Sequence, residues 1–451
     1  MSAQDRIAAI ILAAGKGTRM KSTLPKVMHR IAGRSMIGHV LANLAPLQPQ
    51  RVAVVVAPGM EGVKAEVAPA PIAVQGEQLG TGHAVRSARD AVGAFAGTIL
   101  ILFGDTPFVS TETLRRLVER RGAKDEPAVV VLGMRPADAG AYGRLVLDGQ
   151  GNLERIVEFK EATAAERAIG LCNSGVMAVD GTILWTLLDL IRNDNAKGEY
   201  YLTDIVALAR ADGRNCAVVE APETELLGVN SRAELAVAEA LYQDQRRQAA
   251  MEAGATLIDP GTVYFAADTE LGRDVVVGPN VVFGAGVRVA DNVEIRAFCH
   301  IEGAVIGAGA VIGPFARLRT GTTIGEGAHV GNFVEVKNSE LGAGAKANHL
   351  SYLGDADVGA KSNIGAGTIT CNYDGFLKAR TEIGQDAFIG SNSALVAPVR
   401  IGAGAIVGAG SVITRDVEAD AIAVARGEQV ARAGKAREFR DRRRKMKSDK
   451  K

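Results

Sequence analysis

Cysteines and long hydrophobic runs are scarce in this sequence. Four cysteines occur among 451 residues, and none of them forms a CxxC pair: Cys172, Cys216, Cys299 and Cys371. The usual spacing of zinc and redox sites is therefore missing, and we predict reduced, mostly buried thiols. No apolar segment approaches the ~20 residues that a helix needs to cross a bilayer, which predicts that the chain does not insert into a membrane.

The N-terminal residues also lack the pattern of a secretory leader. The charged residues Asp5 and Arg6 precede an apolar run that is typical of a strand followed by a turn. Together with the reduced cysteines, this predicts a cytoplasmic protein.

Neither positive nor negative charge is in excess over the chain as a whole. The formal net charge is +1, so no surface dedicated to nucleic acid is expected. Residues 431–451 depart from this balance with 11 Lys and Arg against 3 Asp and Glu. The simplest prediction for this segment is a solvated, disordered tail; a contact with CoA or another phosphate is the alternative.

The first half of the chain alternates short apolar runs with amphipathic segments. Continuous β-branched runs occupy residues 6–15, 51–58, 98–105 and 128–134, and segments with helical spacing occupy residues 35–45, 80–92 and 111–121. This alternation predicts a Rossmann-like, mostly parallel sheet with helices on both faces.

A helix of about twenty residues is expected next, because residues 230–254 are rich in Ala, Glu, Gln and Arg and contain no proline. Ser231 and Glu234 have the spacing of a capping box at its start. We interpret this segment as a connector between domains.

Aromatic residues make up only 4% of the chain while glycine reaches 53 residues, and both deviations come from the second half. From Leu271 an aliphatic residue heads each group of six, glycine usually follows, and a small residue stands fifth. This period predicts a parallel β-helix of hexapeptide repeats. Slips of one residue occur near 301–306, 336–341 and 353–358, and the polar insertion at 370–380 is expected to protrude as a loop.

A glycine-rich loop follows the first predicted strand, in the stretch AIILAAGKGTRMKSTLPK at residues 9–26. It matches neither the Walker loop nor the dinucleotide fingerprint. Its backbone N–H groups, with Arg19 and Lys26, nevertheless suit a polyphosphate. Asp105 ends another predicted strand of the same sheet, and a carboxylate facing a phosphate site indicates Mg²⁺.

These residues resemble a known family. The pattern L-x-x-G-x-G-T-R-M-x₅-P-K, from Leu12 to Lys26, is similar to the signature of the sugar-1-phosphate nucleotidyltransferases. Further matching segments follow in order at residues 75–84, 103–105, 142–144, 156–162, 173–175 and 228–232. Together with the hexapeptide half, residues 5 to about 430 resemble the bifunctional bacterial family that makes UDP-N-acetylglucosamine, whose β-helix is left-handed.

The resemblance implies that the first half transfers a uridylyl group from UTP to N-acetylglucosamine 1-phosphate. Arg19 and Lys26 would neutralise charge in catalysis, and Asp105 and Asn230 would ligate Mg²⁺. The residues implied in holding UTP and the product are Leu12, Ala13, Ala14, Gly15, Lys26, Gln75, Gly80, Thr81, Gly143, Glu158, Asn173 and Asn230.

In the repeat half, unusual outward residues gather within three or four successive coils, among them Arg319, Glu335, Lys337, His349 and Tyr352. The resemblance implies acetyl transfer from acetyl-CoA to glucosamine 1-phosphate. His349 would take the proton of the amine, since imidazole titrates near neutrality, with Glu335 assisting. Arg319, Lys337, Tyr352 and Asn363 would bind the sugar phosphate. The positions implied around acetyl-CoA are Ala366, Asn372, Tyr373, Ser391, Ala409 and Arg426.

We therefore expect four segments: a uridyltransferase domain at 1–230, a linker helix at 231–252, an acetyltransferase β-helix at 253–426 and a basic tail at 427–451. The expected partners are these small substrates and two further copies of the chain, because the related enzymes are homotrimers. The alternative is a nucleotidyltransferase of single activity whose β-helix serves only oligomerisation or regulation.

Overall fold

The computed structural model describes residues 6–195 and 197–449. The chain divides into two compact units between Arg246 and Arg247. Within the described ranges, none of the helices combines the length and the apolar character that a membrane crossing requires.

The first unit contains one large mixed sheet in the strand order β11-β7-β10-β6-β1-β4-β5, with β8 and β9 attached to β10. The chain contributes the strands β1 (Ile7–Leu12), β2 (Arg30–Ile31), β3 (Arg34–Ser35), β4 (Arg51–Val56), β5 (Ile72–Val74), β6 (Thr98–Phe103), β7 (Val129–Met134), β8 (Arg144–Leu147), β9 (Leu153–Val157), β10 (Cys172–Asp180) and β11 (Cys216–Glu220). The strands β2 and β3 form a separate hairpin. Within the ordered path, β10 runs antiparallel to both neighbours and the other pairings are parallel.

Helices cover both faces of this sheet, which confirms the predicted architecture. They are α1 (Met36–Leu44), α2 (Glu61–Val67), α3 (Thr81–Ser87), α4 (Arg89–Val92), α5 (Thr111–Arg121), α7 (Leu184–Leu190) and α8 (Asp204–Ala211). The chain also forms the short helix α6 (Ala164–Arg167) and, after β11, the long helix α9 (Arg232–Glu252). Alternate residues of β1 enter opposite cores: Ile10 packs on one side and Ile11 on the other, both fully buried. Burial on both faces explains why the strands are continuous apolar runs.

The predicted connecting helix is α9. Ser231 Oγ accepts a hydrogen bond from the Glu234 N–H at 3.2 Å, as in a capping box. The second half of the box differs from the expectation, because the Glu234 carboxylate accepts from the backbone N–H of Asn230 at 2.8 Å. The cap therefore fixes Asn230 as well as the start of the helix.

The second unit is the predicted left-handed β-helix, built from three parallel sheets. The first sheet contains β12 (Thr256–Leu257), β14 (Val276–Val277), β17 (Glu294–Ile295), β20 (Val311–Ile312), β23 (His329–Asn332), β26 (Lys346–His349), β29 (Asn363–Ile364), β32 (Phe388–Ile389), β35 (Ile406–Val407) and β37 (Ile422–Ala423). The second sheet contains β15 (Val282–Phe283), β18 (His300–Ile301), β21 (Arg317–Leu318), β24 (Glu335–Lys337), β27 (Tyr352–Gly354), β30 (Ile369–Cys371), β33 (Ala394–Val396) and β36 (Val412–Ile413). The third sheet contains β13 (Glu270–Leu271), β16 (Arg288–Val289), β19 (Ala304–Ile306), β22 (Thr322–Ile324), β25 (Glu340–Leu341), β28 (Ala356–Val358), β31 (Thr381–Ile383) and β34 (Val399–Ile401).

The one-residue slips in the repeat correspond to shortened coils. Glu294 pairs with Val276 three full hexapeptides earlier, but with Val311 one residue short of three hexapeptides later. Glycine in the second position of each six is needed for close stacking: a Cβ on Gly365 would lie 2.5 Å from the carbonyl oxygen of Ile389 in the next coil. The insertion at 370–380 is exposed at its tip, where Phe376 is 91% exposed.

One corner of the β-helix, between the first and second sheets, carries a column of phenylalanines. Phe298, Phe315 and Phe333 have positive φ angles of 61°, 55° and 57°, and their rings stack with centroids 4.9 and 5.1 Å apart. Each ring is about half exposed. We call this corner the phenylalanine edge. Later coils continue it with Leu350 and Gly367, which also have positive φ.

The prediction of a disordered C-terminal tail is wrong. Residues Lys435–Ser448 form a helix, α10, after Gly434 in a left-handed conformation. Every residue of α10 is exposed. The segment contains neither glycine nor proline, and ion pairs one turn apart, Lys435–Glu438 and Arg444–Asp441, offset part of the repulsion between its cations.

The four cysteines are free thiols, as expected. Cys172, Cys216 and Cys299 are buried and Cys371 is partly buried. Burial raises the pKa of the Cys216 and Cys299 thiols to about 11, which disfavours the reactive thiolate.

Candidate functional sites

A cavity of about 340 Å³ opens at the carboxyl ends of β1 and β6. This is the edge of a parallel sheet at which ligands bind in open α/β folds. The residues that line it are Leu12, Ala13, Ala14, Gly15, Lys26, Val27, Gln75, Gln78, Gly80, Thr81, Ala84, Phe103, Asp105 and Glu199. Eight of the nucleotide-binding predictions thus lie around one cavity, together with Asp105.

Lys26 joins the two predicted metal ligands. Its ammonium forms an ion pair with the Asp105 carboxylate and donates a hydrogen bond to Asn230 Oδ1 at 3.0 Å. The backbone holds the two ligands together, because the Val229 N–H donates to the Asp105 carbonyl at 2.9 Å. Two oxygen atoms from distant parts of the chain therefore converge on a single cationic group.

The loop predicted to contact the base is held by the segment 199–202. Tyr200 receives the Gly82 N–H on its carbonyl and donates its own N–H to the Leu79 carbonyl, both at 2.8 Å. Gly80 has a φ of 106°, and a Cβ there would lie 2.7 Å from the Tyr200 carbonyl oxygen. Only glycine fits this clamp without strain.

Gln75 faces this loop and is almost fully buried. Its amide nitrogen donates to the Gly80 carbonyl at 3.2 Å and lies 3.2 Å from His83 Nδ1. These contacts engage the amide nitrogen and orient the side chain at the base of the cavity, where the amide oxygen can accept a hydrogen bond from the edge of a nucleobase.

Of the predicted sugar-binding residues, Gly143 immediately precedes β8, Glu158 immediately follows β9 and Asn173 lies on β10. The Asn173 N–H donates to the Gly143 carbonyl at 2.9 Å. Glu158 lies just after β9, where burial raises its pKa. Burial, with the nearby Glu161 and Glu158, also raises the pKa of Asp204 to about 6.

The sequence interpretation missed Gln78 and Glu199, which also line the cavity. Gln78 donates from Nε2 to the Ala14 carbonyl at 2.6 Å and so ties the glycine-rich loop to the base loop. The only signal for Gln78 was its place within the matching segment 75–84. Arg19 is exposed on the turn Thr18–Met20 and is not among the lining residues.

The repeat unit brings a second set of predicted residues together on its second sheet. Glu335 pairs in register with Arg317 in one neighbouring coil and with Tyr352 in the other. Arg319 donates from Nη1 to Glu335 Oε1 at 2.9 Å. Glu335 is thus held by an arginine rather than by the histidine.

A cationic cluster lies beside this group. Lys378, from the insertion, approaches Lys337 and lowers the pKa of its ammonium, and Arg319 acts in the same direction. Three cations close together are typical of a phosphate-binding site. Lys378 was missed from the sequence, because nothing in its spacing showed that the insertion would bring it to Lys337.

His349 lies at the corner that carries the phenylalanine edge, and its side chain is exposed. The Nδ1 atom lies 2.7 Å from Asn332 Oδ1, and the two residues are paired in register. An amide oxygen can only accept, so Nδ1 carries the proton in this contact and Nε2 presents its lone pair.

Four of the predicted acetyl-CoA positions continue this corner beyond His349. The Gly367 N–H donates to the His349 carbonyl, the Asn392 N–H to that of Ala366 and the Gly410 N–H to that of Ser391. Arg426 Nη1 donates to the Ala409 carbonyl at 2.6 Å. The predicted positions therefore form one column from His349 towards Arg426.

Three other residues predicted to bind the substrates of acetyl transfer lie outside this column: Asn363, Asn372 and Tyr373. Asn363 is on the first sheet, in register with Lys346. Asn372 and Tyr373 belong to the insertion between the second and third sheets, where Asn372 is buried against Asp355 and Tyr373 is 60% exposed. Within one chain these three residues are therefore not members of the column of corner residues that continues from His349.

Each half of the chain matches a model of a known protein family. A family model for the MobA-like NTP transferase domain matches residues 9–170. A model of the bacterial transferase hexapeptide (six repeats) matches residues 268–303, 303–338 and 380–415.

Relatives of known name match almost the whole chain. The bifunctional protein GlmU of Rhodospirillum rubrum is 64% identical over 435 residues, covering 96% of this chain and 97% of the relative. That of Paramagnetospirillum magneticum is 60% identical over 439 residues, with 97% of each chain covered. That of Zymomonas mobilis is 54% identical over 449 residues, covering 99% of this chain and all of the relative.

Proposed function

The chain belongs to the family of bifunctional GlmU proteins, and from that membership we propose a two-step function. The β-helix transfers an acetyl group from acetyl-CoA to glucosamine 1-phosphate. The α/β unit then transfers a uridylyl group from UTP to N-acetylglucosamine 1-phosphate and releases pyrophosphate. The observation that carries the proposal is the presence of two separate polar constellations, one around Lys26 and Asp105 and one around His349.

Uridylyl transfer needs positioning and charge neutralisation more than proton transfer. An oxygen of the sugar phosphate is already ionised, so it can attack the α-phosphorus of UTP in line while pyrophosphate leaves. We assign the backbone of Ala13, Ala14 and Gly15 to the nucleotide phosphates. Lys26 sits where its ammonium can offset the negative charge that builds up on the phosphates, and the exposed Arg19 is assigned to the same task at the outer rim.

The residues Asp105 and Asn230 fit a magnesium site. They offer two hard oxygen ligands, and both already contact one cationic group, the Lys26 ammonium. Mg²⁺ commonly takes one or two protein ligands and completes its shell with water and phosphate. When bound there, it would polarise the phosphate oxygens and lower the cost of attack. Lys26 would then turn its ammonium from the carboxylate to the phosphates.

Base and sugar recognition follow from the clamped loop and the strands beside it. We assign Gln75, Gly80 and Thr81 to the uracil, since Tyr200 and Gln78 hold this loop against the glycine-rich loop. Gly143, Glu158 and Asn173 are assigned to the amino sugar. UTP should be preferred over dTTP if these contacts suit a uridine nucleotide.

Acetyl transfer requires a base, because an ammonium group cannot attack a thioester. His349 suits this role: Asn332 fixes the tautomer in which Nε2 can accept the proton of the amine. The amine nitrogen then bonds to the acetyl carbon, and CoA leaves as its thiol after receiving a proton. Arg319, Lys337 and Lys378 are assigned to the sugar phosphate, with Glu335 holding Arg319 in place and Tyr352 lining the sugar site.

Acetyl-CoA is assigned to the column of Ala366, Ser391, Ala409 and Arg426. Asn363, Asn372 and Tyr373 would complete the site from another copy of the chain. The exposed phenylalanine edge supports such an assembly, since three stacked, half-exposed rings form an apolar strip that another copy of the chain can cover. We propose a homotrimer that shares its acetyl sites between subunits.

The test is one incubation of the protein with glucosamine 1-phosphate, acetyl-CoA, UTP and Mg²⁺, with the products followed by mass spectrometry. UDP-N-acetylglucosamine, pyrophosphate and free CoA should appear together. If product forms only when N-acetylglucosamine 1-phosphate is supplied, the β-helix has no acetyltransferase activity and the single-activity alternative is correct. Omitting Mg²⁺ should stop only the uridylyl step.

A further inference from the structure

The C-terminal helix α10 has no place in either reaction proposed above. It contains eight basic and two acidic residues between Lys435 and Ser448, and all of its side chains are exposed. Because the whole chain has a net charge of +1 and residues 431–451 contribute an excess of eight basic residues, the rest of the molecule is net negative. The helix is therefore a concentrated positive region on a molecule that is otherwise net negative.

The charges of α10 are not evenly distributed around its axis. Ala436, Phe439 and Met446 follow one another at spacings of three and seven residues and so share one face. Phe439 is 51% and Met446 is 49% exposed. Arg442 and Arg443 lie one turn from both, with their guanidinium carbons 5.9 and 5.5 Å from the centre of the Phe439 ring.

Of the two acidic residues, Asp441 lies on the opposite face and Glu438 lies between the two faces. Arg437, Asp441 and Arg444 recur at spacings of three and four residues, with Glu438 beside them. Arg444 lies 3.9 Å from Asp441, and Glu438 pairs with Lys435 at 2.6 Å. Cations thus flank the apolar strip, while Asp441 points away from it and Glu438 is paired with Lys435.

We propose that α10 adsorbs to the surface of an anionic lipid bilayer, with its axis in the plane of the interface. Phe439 and Met446 would enter the region between the headgroups and the acyl chains, and the flanking cations would contact the lipid phosphates. A ligand bound by charge alone, such as a nucleic acid, requires neither the apolar strip nor the placement of Asp441 on the far face. The proposal is independent of the two catalytic assignments.

The test uses the full-length protein and lipid vesicles in a flotation assay. Vesicles of phosphatidylcholine with about one third phosphatidylglycerol should carry the protein upwards at low salt, and pure phosphatidylcholine vesicles should not. Raising the salt concentration should weaken binding, since the Debye length falls. Equal recovery with both kinds of vesicle, or with neither, overturns the proposal.

Matched variants separate the geometry of α10 from its charge. Arg442→Gln with Arg443→Gln removes two cations beside the strip and should weaken partitioning about 30-fold, at roughly fivefold per cation. Arg437→Gln with Arg444→Gln removes the same charge from the far face and should have a clearly smaller effect. Phe439→Ser with Met446→Ser keeps the charge and should weaken binding about tenfold or more.

Two other ligands of α10, a nucleic acid and acetyl-CoA, would give different results in these experiments. If both arginine pairs weaken vesicle binding equally, and a single-stranded oligonucleotide binds with the same dependence on charge, the helix is a nucleic-acid contact and the membrane proposal is wrong. If the Arg442 and Arg443 variant instead raises the KM for acetyl-CoA while vesicles do not bind, the helix serves the cosubstrate. All variants should keep both activities of the soluble protein, which checks that the chain remains folded.

Discussion

The two halves of the molecule build their polar sites in different ways. In the α/β unit, Lys26, Asp105 and Asn230 come from distant segments and meet at a cavity. In the β-helix, Glu335 and Tyr352 are neighbours because they are one coil apart, and His349 lies on an exposed corner. In a parallel sheet, long crossover connections bring residues from distant segments together. In the β-helix, residues that are one coil apart along the chain become neighbours. The first kind of site is enclosed by one chain, and the second leaves a surface that another copy can complete.

The largest effect is expected from removing the general base that we propose for acetyl transfer in the β-helix. His349→Ala should lower acetyl transfer about 10²- to 10⁴-fold, the usual contribution of a general base, and leave uridylyl transfer unchanged. The two rates can be measured separately by release of CoA and of pyrophosphate. His329→Ala is the matched control, because His329 lies one coil before Lys346 on the first sheet and away from the corner. Normal acetyl transfer by the His349 variant would refute the assignment.

The reciprocal experiment acts on the α/β unit. Asp105→Asn keeps the shape of the side chain but removes the charge that would hold Mg²⁺, so uridylyl transfer should fall at least about 100-fold. The Mg²⁺ concentration for half-maximal rate should rise, and acetyl transfer should not change. Asp90→Asn, at an exposed carboxylate on α4, serves as the control. Loss of both activities would show that the change disturbs folding rather than metal binding.

A smaller effect is expected from the clamped base loop. Gly80→Ala places a Cβ against the Tyr200 carbonyl at positive φ, which costs of order 1–3 kcal/mol. The loop should shift, and the KM for UTP should rise about tenfold with little change in the acetyl reaction. Gly76→Ala provides the comparison, since a Cβ there meets nothing within 4 Å. Equal effects of both substitutions would mean that the clamp does not position the base.

The smallest expected effect is a pH dependence confined to the α/β unit. Burial raises the pKa of Asp204 to about 6, so between pH 4 and 6 the folded state binds more protons than the unfolded state, and stability falls as pH rises. Asp204→Asn should remove this loss and stabilise the unit above pH 6 by about 1 kcal/mol or less, because the group is only partly buried.

Urea unfolding at pH 4, 5, 6 and 7.5 would measure the effect of Asp204. The advantage of the variant should shrink as pH falls below 5. Asp212→Asn, at the exposed end of α8, should show no such trend. A constant difference across this range would contradict the raised pKa.

Much of the fold could be predicted from local patterns. The apolar runs became β1, β4, β6 and β7, and the hexapeptide period became three parallel sheets, because in each case burial selects residues at a fixed spacing. The capping box at Ser231 shows the limit: the Glu234 carboxylate accepts from the Ser231 hydroxyl and also from the backbone N–H of Asn230, a second contact that the spacing of the box does not predict. The tail was expected to be disordered from its charge, but its helix propensity prevailed.

The sequence by itself determined the class of each half and the residue types available for chemistry, since spacing dictates which side chains are buried and which are presented. The tertiary structure alone decided which of them meet. It brought Lys26 between Asp105 and Asn230, set Gln78 and Tyr200 around the base loop, and carried Lys378 of the insertion to Lys337. These contacts join residues with no fixed separation along the chain, and their geometry depends on the packing of whole elements rather than on any local pattern.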